Sequence, residues 1–152
     1  MLGTKNSVNN SKCNEKSCPL CNKSQFVEPS TDENQISCIT NNVGYRWVCL
    51  TCEERGKVAV YEGETSRSAR IRGAEHLKGL VGKNIDNILY KHRISEHKHE
   101  DVKFQMKITK KFKDALTRQA NEGVRIYGRP KSESLNRKSE FNHPTIARVV
   151  VE

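Results

Sequence analysis

The sequence contains no long apolar run, and this absence excludes two classes of protein. No window approaches the roughly 18 apolar residues that a membrane-spanning helix needs. The segment 1–12 also has none of the apolar core that is typical of a secretory signal peptide. We therefore expect an intracellular protein that contacts no membrane, in a compartment where cysteines stay reduced.

Apolar residues are scarce in the chain as a whole. Only 34% of the 152 residues are hydrophobic, which leaves too little apolar surface for a second large core. The sequence predicts one main domain with a small appendage that is held together by metal. Residues 1–12 are rich in Asn, Ser and Lys, so we expect a disordered tail there.

Charge is unevenly distributed along the chain. The net charge is +9, and residues 53–152 hold 22 Lys or Arg against 14 acids. A positive surface of this size is typical of proteins that bind a polyanion, and duplex DNA is the obvious partner. Solubility alone is the alternative explanation. The basic residues expected to contact DNA phosphates are Arg67, Arg70, Lys110, Lys111 and Lys113.

Six cysteines are present, and four of them form two Cys-x-x-Cys pairs. In a reducing compartment this spacing favours zinc ligands over disulfides. We expect a cysteine-rich zinc-binding segment over residues 13–41, completed from the hairpin that follows. Two ligand sets remain open: the favoured set is Cys18, Cys21, Cys49 and Cys52, and the alternative is Cys13, Cys18, Cys21 and Cys38.

The segments that follow predict a hairpin and a helix with polar groups on one face. Two β-rich runs on either side of a short polar turn indicate an antiparallel hairpin. If the hairpin is symmetric about residue 53, Tyr45 and Tyr61 lie directly opposite each other. A helix is expected from about residue 66 to 80, with Arg72 and His76 four residues apart on one edge.

The remaining pattern completes an α+β fold. Apolar periodicity predicts a second helix over 85–97 and a third over 114–127, with an alternating strand over 104–109 between them. Leu116, Ala120 and Val124 are expected to face inward. The predicted architecture is a small antiparallel sheet of about three strands flanked by helices, in the order β-β-α-α-β-α.

A motif begins at Tyr61. Residues 61–63 read Tyr-Glu-Gly; Thr65 follows, then Arg72 nine residues beyond Gly63, then His76 four residues further. These residues resemble the GIY-YIG nuclease domain, and most of all the variant found in Penelope-like retroelements. In that family Tyr-Ile-Gly precedes a threonine, an arginine and a histidine at these spacings. The resemblance covers residues 42–143 and leaves 144–152 as a carboxyl-terminal tail.

The resemblance extends to a later signature and has three departures. Glu122 and the pair Leu135-Asn136 are similar to the family's metal-binding Glu and following Asn. The first tripeptide, 43–45, reads Val-Gly-Tyr where the family has Gly first. Glu62 replaces an apolar strand residue, and Gly123 stands where the family tends to have Ala. None of these changes removes a reacting group.

The resemblance implies a metal-dependent DNA endonuclease that nicks or cuts DNA during insertion of a mobile element. Glu122 would hold a catalytic Mg²⁺ or Mn²⁺, and Arg72 would contact the nonbridging phosphate oxygens. Tyr45 would act as general base for water. The implied catalytic set is Tyr45, Tyr61, Gly63, Arg72, His76, Glu122 and Asn136. A structural Zn²⁺, a reverse transcriptase of the same element as partner, and nuclear localisation are implied as well.

Three alternatives remain at this point. Taken singly, each residue has an ordinary explanation, such as packing for the tyrosines or an Arg118–Glu122 pair on an exposed helix face. The same fold could serve as a catalytically inactive module that binds zinc and nucleic acid. A ring-like protein-interaction domain is the third alternative, and it predicts no salt-dependent affinity for DNA.

Overall fold

The structure is a computed structural model that describes residues 18–21, 26–27 and 36–136. The predicted tails at 1–12 and 144–152, and Cys13, lie outside the described residues. Secondary structure follows the chain as β1 (Phe26–Val27), β2 (Val43–Cys49), α1 (Leu50–Glu54), β3 (Val60–Thr65), α2 (Ala69–Val81), α3 (Ile88–His97), β4 (Phe104–Lys111), α4 (Ala115–Tyr127) and a 3₁₀ turn (Lys131–Glu133).

The sheet has the strand order β1-β4-β2-β3. β2 pairs antiparallel with both β3 and β4, whereas the two residues of β1 pair parallel with β4. The predicted α+β class, with a three-stranded antiparallel sheet flanked by helices, is confirmed. Within the described part of the chain, no helix combines the length and apolar character that would be needed to cross a membrane.

The hairpin register differs from the predicted one by a single step. Trp47 pairs with Tyr61 and Tyr45 pairs with Gly63, so the hairpin is centred on residue 54. The expectation that Tyr45 faces Tyr61 directly is therefore wrong. The reason is α1, which occupies the connection after Cys49 and shifts the return strand. Both tyrosines still lie on one face of the sheet, because residues two apart share a face, and their ring centroids are 6.4 Å apart.

One face of the sheet carries the apolar core under α2 and α3. Tyr45, Trp47, Met106 and Ile108 are all at most 1% exposed. The amino-terminal segment also joins this core. Leu20 is fully buried, and a side chain at Gly73 of α2 would meet its methyl groups at 2.8 and 2.9 Å. The absence of a side chain at Gly73 therefore lets α2 pack closely against residues 18–21.

The opposite face carries buried charges under α4. Arg118 pairs with Glu64 at 2.6 Å, and Glu62 receives Arg46 at 2.7 Å and Arg129 at 3.3 Å. Glu62 is only 1% exposed, so the cost of placing a glutamate inside this strand is offset by two arginines.

Because β3 presents two glutamates on this face, α4 turns a basic edge inward. The expectation that Leu116 and Val124 face the core is wrong, since their exposed fractions are 60% and 47%. Arg118, Gly123 and Ile126 are the buried residues of this helix. The buried ion pair of Arg118 with Glu64 therefore outweighs the apolar periodicity of α4.

Side-chain caps fix where the three longer helices begin. Ser68 Oγ accepts a hydrogen bond from the Ile71 amide at 3.2 Å and starts α2, two or three residues later than predicted. Asn87 and Asp114 cap α3 and α4 in the same way, at 2.9 and 2.8 Å. Each such cap is worth about 1 kcal/mol.

The last described residues cover the outer edge of β3. Leu135 donates its amide to the Val60 carbonyl at 2.8 Å. The Asn136 side chain accepts from the Glu62 amide at 3.0 Å and donates to the Glu62 carbonyl at 2.9 Å. An exposed edge strand is a template for unwanted pairing, and this segment occupies it.

Candidate functional site

Three predicted site residues form a continuous hydrogen-bonded chain under α2. The hydroxyl of Tyr45 lies 2.9 Å from Nε2 of His76 and accepts a hydrogen bond from Nε of Arg72 at 3.2 Å. Arg72 and His76 lie one helical turn apart, so both side chains reach the same strand position. Tyr61 completes the group, because its ring centroid is 5.5 Å from that of His76.

The protonation states of this chain follow from burial. Burial, the neighbouring Tyr61 phenol and the Glu122 carboxylate raise the pKa of Tyr45 well above its usual range, although Arg72 opposes them. Burial, together with Arg72, lowers the pKa of His76 to about 3. At neutral pH Tyr45 is therefore protonated and His76 is uncharged. When His76 carries its proton on Nδ1, the Tyr45 hydroxyl donates to Nε2 while its oxygen accepts from Arg72.

The position of the Tyr45 ring explains why residue 63 is a glycine. The two residues are a cross-strand pair, and a Cβ at Gly63 would lie 2.5 Å from the phenolic oxygen of Tyr45. Any side chain would displace the tyrosine ring. The glycine of the predicted motif thus makes room for the hydroxyl that contacts Arg72 and His76.

A cleft of about 370 Å³ opens beside this chain and is lined by Tyr61, Arg72, His76, Glu75 and residues of the α2–α3 connection. Glu75 was not predicted from the sequence. Its carboxylate accepts two hydrogen bonds from Arg67, at 2.7 and 2.8 Å, and one from Arg72 at 2.9 Å. Those hydrogen bonds, with that of Arg67 the strongest, lower the pKa of Glu75. One acid of the cleft therefore holds Arg72, which lines the cleft, and Arg67, which lies beside it.

The other two predicted catalytic residues lie on different elements. Glu122 is half-buried on α4, and its charge acts on Tyr45. Asn136 lies on the edge of β3, where its amide joins the backbone of Glu62 on both sides. These contacts give Asn136 a structural role in holding residues 134–136 against the strand.

The predicted DNA-contacting residues fall in three places. Three exposed lysines line an open pocket with a volume of about 580 Å³ at the start of α4. They are Lys110, Lys111 and Lys113. Arg67 lies at the mouth of the cleft through its ion pair with Glu75. Arg70 is half-buried, and its backbone amide donates to the Cys38 carbonyl at 2.6 Å.

Four buried ligand groups converge at the end of β2. They come from Cys49, Cys52, His92 and His97, and all four ligand atoms lie within 4.8 Å of one another. Burial and the neighbouring Cys49 raise the pKa of the Cys52 thiol to about 12. Burial and His97 lower the pKa of His92 to about 4. A buried group of two cysteines and two histidines is a donor set that zinc binds as thiolate and neutral imidazole.

The distances within this cluster match a tetrahedron around zinc. Zn–N bonds of about 2.1 Å and Zn–S bonds of about 2.3 Å imply N···N edges of about 3.4 Å and S···N edges of about 3.6 Å. The two histidine Nε2 atoms are 3.2 Å apart, and Nε2 of His97 lies 3.5 and 3.3 Å from the sulfurs of Cys49 and Cys52. The cluster can hold zinc and would join α3 to the strand that carries Tyr45.

This arrangement corrects the favoured zinc ligand set. Cys18 and Cys21 do not join Cys49 and Cys52; they converge with Cys38 in a separate buried cluster. The physical reason is that β2 and α1 point their two cysteines at α3, which supplies two imidazoles. The alternative set of Cys13, Cys18, Cys21 and Cys38 retains three described members, and Cys13 lies outside the described residues.

The sequence motifs did not identify His92 and His97 as zinc ligands. The signal that could have identified them is their spacing, because His-x₄-His is typical of zinc ligands that complete a Cys-x₂-Cys pair. His92 and His97 follow Cys52 by 40 and 45 residues, and this distance along the chain obscured that pattern.

Comparison with known proteins gives no match: no family model, no curated protein and no solved structure is similar to this chain at a significant level.

Proposed function

We propose that this protein is a metal-dependent DNA endonuclease of the GIY-YIG type. The observation that carries the proposal is that Tyr61, Arg72 and His76 line one cleft, while the buried Tyr45 lies in hydrogen-bond contact with both Arg72 and His76. The close approach of Tyr45 to Gly63 explains a further position of the motif. An arrangement of two phenols, a guanidinium and an imidazole suits a phosphodiester, whose anionic oxygens need fixed donors.

Glu122 is the residue that would hold the catalytic ion. A half-buried carboxylate on a rigid helix, completed by water, fits Mg²⁺, which keeps several waters and takes one or two carboxylates. When bound, Mg²⁺ or Mn²⁺ supplies charge neutralisation at the phosphate and at the departing 3′ oxygen. The charge of Glu122 is the smallest of the influences that raise the pKa of Tyr45, and this influence supports including Glu122 in the proposed site.

The protein's own groups would orient water and relay its proton. Tyr45 can accept a proton from water only as it passes its own proton to Nε2 of His76, because burial keeps the phenol protonated. Arg72 contributes to the lowered pKa of His76, and a bound phosphate would neutralise part of that effect. Substrate binding would therefore make His76 a better proton acceptor.

Cleavage of supercoiled plasmid with Mg²⁺, Mn²⁺ or EDTA tests the proposal. We expect metal-dependent nicking or linearisation that falls at least about 100-fold in Arg72→Ala and Glu122→Gln, the scale of losing one transition-state donor. Lys78→Ala on the exposed face of α2 and Glu54→Gln on α1 are the matched controls and should cleave normally. Wild-type activity in both Arg72→Ala and Glu122→Gln would contradict the proposal.

One observation favours a second candidate, an inactive module on the same fold that binds zinc and nucleic acid. Tyr45 is only 1% exposed, and its hydroxyl is already engaged by Arg72 and His76. A folded, zinc-loaded wild type that binds DNA with strong salt dependence but does not cleave it would establish this candidate.

The wider role belongs to the same proposal. DNA is the proposed substrate, insertion of a mobile element the proposed context, and a reverse transcriptase of that element the proposed partner. In a eukaryotic host, such an activity would operate in the nucleus. Support for the DNA partner comes from the exposed lysines at the start of α4 and from Arg67 at the cleft.

A further inference from the structure

Three cysteines from two separate segments converge at the amino-terminal side of the sheet. Cys18 and Cys38 are fully buried, and Cys21 is 7% exposed. The sulfur of Cys38 lies 3.9 Å from that of Cys18 and 3.6 Å from that of Cys21. The three ligand atoms lie within 4.8 Å of one another. Ordinary buried thiols have no physical reason to meet as a group of three.

The spacing of the sulfurs distinguishes a metal site from a disulfide. A disulfide joins sulfurs at about 2.05 Å, far below the separations seen here. Tetrahedral zinc with Zn–S bonds of about 2.3 Å implies S···S edges of about 3.8 Å, and the observed 3.6 and 3.9 Å bracket that value. We propose that Cys18, Cys21 and Cys38 bind a second zinc ion, separate from the one at Cys49, Cys52, His92 and His97.

The second zinc would fasten the amino-terminal segment to the helix that carries Arg72 and His76. The Cys38 carbonyl accepts the Arg70 amide at 2.6 Å in the first turn of α2. Leu20, between the other two ligands, packs on Gly73 in the next turn. Both contacts lie on α2, so a metal that joins residues 18–21 to residue 38 also fixes the position of that helix.

Zinc stoichiometry of the full chain, purified without chelator, tests the inference. We expect two zinc ions per wild-type chain, one in Cys38→Ser and one in Cys52→Ser, because each substitution empties a different site. Ile39→Ser, at an exposed neighbour of Cys38, is the matched control and should keep both ions. One zinc in the wild type that Cys38→Ser leaves in place would overturn the second site.

Cobalt binding by the wild-type chain gives a readout that does not depend on the folding of a variant. Titration of the metal-free protein with Co²⁺ should produce thiolate-to-metal absorption for the first equivalent and again for the second. Absence of any thiolate band from the second equivalent would overturn the inference. Neither measurement depends on nuclease activity, so this inference and the proposed function fail separately.

Amide hydrogen exchange tests the consequence for α2. In Cys38→Ser, amides of the first two turns of α2 should exchange faster than in Ile39→Ser, because the contacts of Arg70 and Gly73 with the zinc-bound segment are loosened. Unchanged exchange in a variant that has lost one zinc would show that the second metal does not fasten the helix.

Discussion

The two faces of the β2–β3 hairpin differ in how their buried polar groups are stabilised. Under α2, Tyr45 and His76 are buried in uncharged forms and joined by hydrogen bonds. Under α4, Glu62 and Glu64 are paired with arginines. Alternation along β3 directs Tyr61 and Gly63, which pairs with Tyr45, to the first face and the two glutamates to the second. The uncharged Tyr45–His76 pair can exchange a proton along its hydrogen bond, whereas buried ion pairs hold the fold.

Removing the charge of Glu62 should produce the largest loss of stability. Glu62→Gln removes the acid that pairs with Arg46 and the nearer of the two acids that pair with Arg129, which keeps Glu133 at 3.5 Å. Breaking a buried pair from one side is strongly destabilising. We expect the free energy of unfolding to fall by about 2 to 4 kcal/mol, since the two arginines retain partial exposure. Urea denaturation measures it. A loss no larger than that of the exposed control Glu53→Gln would show that the charged face does not stabilise the fold.

Acid should lower the stability of the protein through His76, on the face of the hairpin under α2. The pKa of His76 is about 3, against an ordinary value of 6.5. Between these values the unfolded chain binds a proton that the folded chain refuses, so stability falls as the pH falls from 6.5 towards 3. One pKa unit is about 1.4 kcal/mol, which gives a loss on the order of a few kcal/mol. Denaturation midpoints at several pH values measure it.

His76→Gln is the control for the acid prediction. It keeps a group that can accept the Tyr45 hydroxyl proton but does not titrate, so its stability should depend less steeply on pH. Acid also releases zinc from thiolate sites, and that effect is common to both proteins. Equal pH slopes in the wild type and in His76→Gln would contradict the assignment of a buried neutral imidazole.

Gly63→Ala should cost less but disturb the hydrogen-bonded chain. The added methyl overlaps the Tyr45 ring, and overpacking of this kind costs about 1 to 3 kcal/mol. The ring must move away from His76, so the ultraviolet absorption of the buried tyrosine should change together with stability. Ser66→Ala, at an exposed position beyond the strand, serves as the control. A stable variant with an unchanged tyrosine spectrum would contradict the close approach.

Local sequence signals predicted the elements of this fold well. Alternation and periodicity identified the hairpin, the β4 strand and the three longer helices, because each has the apolar spacing of its secondary structure. The hairpin register was missed by one step, since nothing local shows that residues 50–54 form a helical turn. The buried face of α4 was missed for a tertiary reason, because Arg118 follows Glu64 rather than the apolar stripe.

Ligand sets were harder to predict than elements. Tyr45, Arg72 and His76 lie in contact in the structure, because strand and helix periodicity constrain where they lie. Which cysteines share an ion depends on the crossing of distant segments, and here α3 directs two histidines at Cys49 and Cys52. Nothing in the sequence marked Glu75 as a residue of the site, since an exposed acid on a basic helix is ordinary.

Glu75 gives the smallest predicted effect on stability and the sharpest test of the cleft. Its ion pairs with Arg67 and Arg72 are exposed, so Glu75→Gln should change the free energy of unfolding by no more than about 1 kcal/mol. The substitution releases two arginines from their acid, and affinity for a short DNA duplex should rise about two- to fivefold at low salt. Fluorescence anisotropy at two salt concentrations measures this, with Glu53→Gln as control. Equal affinity in both variants would mean that DNA phosphates do not enter the cleft, whereas reduced affinity would mean that Glu75 holds Arg72 in its binding position.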